Sequence, residues 1–291
     1  VYLGGVLVEF GFVVQLLSAI MLVLAADYFS TILVGAMCAT GALTANSYGV
    51  PALLVKLLSL FFSSAWLVCH KLDMSSEYYP LIRTKYLLLF FMVPLLILDC
   101  TLIILYLYNL EPDIITSCCG VLFSTQTNDG FNLLSIMPST GMLLMYSTLV
   151  LAVALTTWHQ SRRGDGRIFS RTTSGLGTIV LWGIFYFFSL VIITVFTSPY
   201  VYAMPHHRCP FDLLKAPYTI VGYCIYILLH GAVIAGISAG IGAIFACRQG
   251  LAQPAGRLRV RAGWLSLFLA AGFLLVIAYY PLVYQLRGGD G

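Results

Sequence analysis

Long apolar runs separated by short polar gaps set the pattern of this chain. A helix needs about 20 apolar residues to cross the ~30 Å hydrocarbon core of a bilayer. Runs of that kind lie near Leu3–Ala25, Phe29–Ala45, Pro51–Cys69, Tyr86–Leu110, Ser139–Trp158, Leu176–Phe196, Tyr218–Ala246 and Gly263–Leu286. They predict an all-α fold: a polytopic membrane helix bundle of about eight transmembrane helices with short loops, forming a single transmembrane domain over residues 1–291. The second run is short for a crossing, and only Ala26–Tyr28 separates it from the first, so one span and a re-entrant segment is the alternative there. The first run is expected to be a retained span and not a signal peptide, because no basic region precedes it and it contains Glu9.

The polar gaps are of two kinds. Eleven of the fifteen Lys and Arg residues fall in Lys71–Lys85, Arg162–Arg171 and Arg248–Arg261. The gaps between them hold Cys118, Cys119, Cys209, His206, His207 and most of the loop acids. Positive loops stay on the cytoplasmic side, so the basic gaps are expected to be cytoplasmic and the Cys118 and Cys209 loops extracytoplasmic. With eight spans, both chain ends would face away from the cytoplasm. Short loops and the lack of an N-glycosylation acceptor in them suggest a bacterial or archaeal cell membrane.

Composition removes the soluble classes. The chain is 60% hydrophobic and 9% charged, against about a quarter charged in an ordinary soluble domain. The net charge of +4 comes from the positive loops, so no nucleic-acid partner is implied; the expected partners are the lipid bilayer and other membrane or extracytoplasmic redox subunits. No phosphate-binding loop, zinc-protease helix or nucleophile elbow occurs, which argues against a hydrolase or ATPase. No internal repeat is visible either, which counts against an inverted-repeat transporter. Ala232, Gly236 and Gly240, with Ala235, Ala239 and Ala243 beside them, and Ala36, Thr40 and Thr44 in the second run, form small-residue rows that suit close helix packing.

Four ionisable side chains interrupt the apolar runs: Glu9, Lys56, Asp99 and His230. Each costs about 2.5–3.5 kcal/mol at mid-span, so each needs a partner, a cavity or a route to the interface. Glu9 and Lys56 could pair with each other. Asp99 and His230 could face one another as a proton, ion or quinone position, or each could make a buried hydrogen bond.

Outside the spans, Cys118, Cys119, Cys209, His206 and His207 gather in two loops on one predicted side. They could form a disulfide staple, bind copper or zinc through sulfur and imidazole, or leave a free thiol activated by Arg208 and the imidazoles. Connectivity cannot be deduced from spacing. His70 and His159 both close spans at the basic side, where a bis-histidine haem b is the further option. Cys38, Cys69, Cys100, Cys224 and Cys247 read as small apolar fillers. These observations lead to an expected role in extracytoplasmic redox or metal handling, with two alternatives: a transporter using Asp99 and His230, and a non-catalytic anchor or scaffold subunit.

Overall fold

In lipid every backbone polar group must be satisfied within the protein, which leaves helices as the natural form for these apolar runs. The computed structural model describes residues 2–34, 36–111, 139–162, 168–204, 207–215 and 217–287. Its helices are α1 (Tyr2–Phe29), α2 (Ala39–Leu43), α3 (Gly49–Met74), α4 (Ile82–Tyr108), α5 (Ser139–Arg162), α6 (Ile168–Ile192), α7 (Ser198–Tyr202), α8 (Thr219–Phe245) and α9 (Ala252–Leu286). A π turn, Ile193–Thr197, joins α6 to α7, and a single 3₁₀ turn, Asp212–Leu214, precedes α8. Among the described residues seven helices are long and apolar enough to cross a membrane, α6 doing so together with its π turn and α7. The chain is a multi-pass membrane protein with an all-α fold.

One expected span does not form. Residues 30–34 and 36–48 make turns and the five-residue α2, in place of a crossing near Phe29–Ala45. After Phe29 the backbone bonds tighten to three-residue spacing, Thr31 N–H on Tyr28 O and Ile32 N–H on Phe29 O at 3.0 Å, closing α1 where a second span would have to start. Every residue of α2 is buried, and Tyr106 of α4 donates its phenol to Ala42 O at 3.0 Å. Asn46 lies at the turn into α3, its amide bonded to Tyr106 O and Asn109 O at 2.9 and 3.2 Å. The segment is therefore a re-entrant cap held by the end of α4. The bundle has two ends: a basic end, where α3, α5 and α8 finish, and a cap end with α2 and residues 207–215 ahead of α8.

The helices form two groups. In one, α3 packs against α1 and α4; in the other, α5, α6, α8 and α9 pack together, and α3 against α8 is the main seam between them. Phe61 of α3 crosses that seam to meet Tyr186 edge-on, with ring centroids 4.7 Å apart. The small-residue row of α8 does what its spacing suggests: Gly236 receives the Trp182 ring, and Gly240 lies against Ile179 and the Gly175 carbonyl of α6. Ala36, Thr40 and Thr44 line no such helix seam, since they belong to the cap.

Polarity is arranged inside out. Leu7, Phe10 and Leu17 of α1 and Phe90, Phe91 and Ile97 of α4 are exposed toward lipid. Gln15 of α1 and Asp99 of α4 are buried and bonded to each other instead, and hydrogen bonds of this kind hold membrane helices together. At the basic end Asp73 ties the α3–α4 turn, pairing with Lys85 at 2.5 Å and accepting the Leu81 N–H at 2.7 Å.

Candidate functional site

The cap-end connection after α7 begins with proline chemistry. Pro199 has no N–H to close the usual bond one turn back, and the π turn Ile193–Thr197 lies just ahead of it, with Ser198 Oγ donating to Ile193 O at 2.7 Å. Ala203 then adopts the left-handed conformation (φ 54°) that ends α7, and Met204 N–H reaches back to Pro199 O at 3.1 Å. Two tyrosines brace the approach to α8. Tyr202 donates to Cys209 O at 2.6 Å and Tyr226 to Pro210 O at 2.7 Å. Gly222 completes the clamp, because a Cβ there would overlap the Leu213 carbonyl.

These constraints set Cys209 against Cys38, the residue immediately before α2. The two sulfurs and a carboxylate oxygen of Asp212 all lie within 4.8 Å of one another, and all three residues are buried. Thr40 Oγ1 is 3.3 Å from Cys209 Sγ. His207 Nε2 donates to Asp212 Oδ2 at 2.6 Å. Lys215 approaches Asp212 Oδ1 at 2.9 Å and Asp27 Oδ1, at the end of α1, at 3.3 Å. The adjacent Cys38 thiol and then burial push the Cys209 thiol above its ordinary range, against the Thr40 hydrogen bond. Burial alone would lower the Lys215 ammonium, but the Asp212 and Asp27 carboxylates outweigh it and the net shift is upward. Two thiols, a carboxylate and an imidazole in this arrangement can bind a metal ion or exchange electrons as a dithiol.

Of the five loop residues expected to cooperate, Cys209 and His207 enter this cluster, whereas Cys118, Cys119 and His206 lie outside the described residues. Cys38 and Asp212 are the members that sequence reasoning misses. Cys38 reads as a span filler in the sequence, and only the loss of that span brings it to the cap.

The intramembrane residues pair differently from expectation. Lys56 Nζ bonds Asp99 Oδ2 at 2.6 Å and Ser18 Oγ at 2.9 Å, so neither the Glu9–Lys56 nor the Asp99–His230 pair forms. Gln15 donates to the same Asp99 oxygen at 2.7 Å and also contacts Ser59. Glu9 is exposed on α1. His230 Nδ1 bonds Tyr226 O at 2.7 Å and Nε2 meets the Tyr186 hydroxyl at 3.0 Å, a ring with both nitrogens engaged.

The haem option finds no support in the surroundings of its two histidines. His70 stacks on Trp66 with centroids 5.0 Å apart, its Nδ1 is 3.4 Å from Lys85 Nζ, and its ring fills the notch at Gly5. His159 is exposed on α5, which packs against α6 and α9. The remaining cysteines behave as fillers or surface residues: Cys69 is buried, Cys247 half-buried, and Cys100 and Cys224 exposed.

No protein-family model, curated protein or solved structure matches this chain.

Proposed function

We propose that the protein handles metal ions or thiol redox equivalents at the extracytoplasmic face of a cell membrane, with Cys38, Cys209, Asp212 and His207 as the working groups. The observation that carries this is the convergence of Cys38, Cys209 and Asp212 within 4.8 Å at the end of the bundle opposite the basic loops. Positive loops mark the cytoplasmic side, so the cluster faces the compartment where sulfur and metal chemistry with external partners takes place. The test is metal analysis of detergent-purified protein together with a count of reactive thiols before and after reduction. A stoichiometric metal, or two thiols protected until reduction, is expected, and Cys209→Ser removes either signal. A metal-free protein whose Cys38 and Cys209 stay freely reactive under oxidising conditions sinks the reading.

A proton-coupled transporter is the second reading, favoured by the Lys56–Asp99 pair. Asp99 is fully buried, and its Oδ1 has no hydrogen-bond partner among the described residues. That is an expensive arrangement inside a membrane unless a proton or ion uses it. Proteoliposomes carrying Asp99→Asn would then lose uptake while Cys209→Ser retained it.

A further inference from the structure

Four features of the cap bear on which ligand it takes. First, the donors are mixed: the sulfur of Cys38, and the sulfur of Cys209 with a carboxylate oxygen of Asp212 three residues on. Thiolate and carboxylate together suit zinc-class ions, whereas a copper(I) site prefers sulfur and imidazole without a hard oxygen. Second, the spacing is close to that of a formed site. Zinc–sulfur and zinc–oxygen bonds put neighbouring ligands of a tetrahedron about 3.3–3.8 Å apart, so donors already within 4.8 Å of one another need only small side-chain rotations. Third, the Asp212 carboxylate is oriented from the side, since His207 Nε2 donates to Oδ2 at 2.6 Å. Ligating carboxylates are commonly held by such a hydrogen bond. Fourth, charge favours a divalent ion. Two thiolates and one carboxylate carry three negative charges, and a divalent ion leaves one of them, beside a Lys215 ammonium that Asp212 shares with Asp27. A monovalent ion would leave two.

We infer that Cys38, Cys209 and Asp212 hold a divalent cation of the zinc class, with His207 as a positioning residue for the carboxylate. This rests on the proposal that the cap is the working site. A disulfide between the two cysteines would account for their approach but would make no use of the Asp212 oxygen that lies within 4.8 Å of both sulfurs. Three protein donors leave the fourth position of a tetrahedron open, the arrangement of zinc sites that exchange a ligand and not of closed structural ones. Thr40, 3.3 Å from Cys209 Sγ, would donate its hydroxyl to the thiolate once metal is bound.

The test is a titration of the full-length protein in detergent, reduced and kept anaerobic, with cobalt(II), then zinc(II), and in parallel with copper(I). One equivalent of cobalt is expected to give thiolate-to-cobalt charge-transfer absorption and tetrahedral ligand-field bands, both abolished by one equivalent of zinc. Cys38→Ser and Cys209→Ser each weaken the charge-transfer band. His207→Gln leaves its intensity but lowers affinity about 10–100-fold. Asp212→Asn lowers affinity while leaving both thiols in place, which guards against variants that fail for lack of folding. Binding of copper(I) without cobalt overturns the divalent assignment and leaves the cap as a metal site. No metal binding, with a Cys38–Cys209 disulfide recovered on air oxidation, overturns the assignment and moves the cap to thiol redox. Unaltered cobalt spectra in both cysteine variants place the metal elsewhere and overturn both.

Discussion

Lys56 and Asp99 illustrate how a membrane interior accepts charge. Each alone would cost a few kcal/mol, yet together, with Gln15, Ser18 and Ser59, they form one network across α1, α3 and α4. Removing one partner leaves the other unpaired, so Asp99→Asn or Lys56→Met is expected to cost about 3–5 kcal/mol, read as a fall in the melting temperature in detergent. The double variant Lys56→Met/Asp99→Leu is expected to recover most of that loss. A double variant as unstable as the singles would show that the pair does more than neutralise itself. Both residues are legible in the sequence as anomalies, but their partners are not. Depth along a helix can be counted from sequence, whereas the direction a side chain faces depends on how the helix is rotated in the bundle. Depth alone matches Asp99 with His230, which instead bonds Tyr186 and Tyr226.

At the scale of elements, the seven crossings are legible because each is a long run that charge hardly interrupts. The run Phe29–Ala45 misleads because it is as apolar as a span yet too short for one. Local bonds decide it: tight backbone turns over Tyr28–Ile32 end α1, and Tyr106 and Asn46 hold the returning segment. The same misreading hides the role of Cys38. Packing of α8 on α6 offers a cleaner test. A Cβ at Gly236 would overlap the Trp182 ring, which is fully buried and bonded through Nε1 to Thr157 at 3.1 Å. Gly236→Ala is expected to destabilise by about 1–3 kcal/mol through overpacking and to shift the tryptophan emission. Gly183→Ala on α6, where a Cβ meets nothing within 4 Å, serves as the neutral control.

For the whole molecule, seven helices of crossing length among the described residues, where eight were expected, change the sidedness expected from eight. The start of α1 now lies at the basic end and the end of α9 at the cap end. With the basic loops cytoplasmic, an alkaline phosphatase fusion after Leu286 is expected to be active and one placed in the Lys71–Lys85 loop inactive. The reverse pattern would place the Cys38–Cys209 cluster in the cytoplasm and remove the basis for an extracytoplasmic role. The cluster also joins the two helix groups, Cys38 arriving from the α1 side and Cys209 from the α6 side. Thr40 and Cys209 are 169 residues apart in the chain, and chains fold from the amino end as they are made. The first group can therefore insert and pair Lys56 with Asp99 long before its lid exists. Closure of the cap comes late in biogenesis, and a chain halted before Cys209 is an open vessel in which Cys38 has yet to meet its cover.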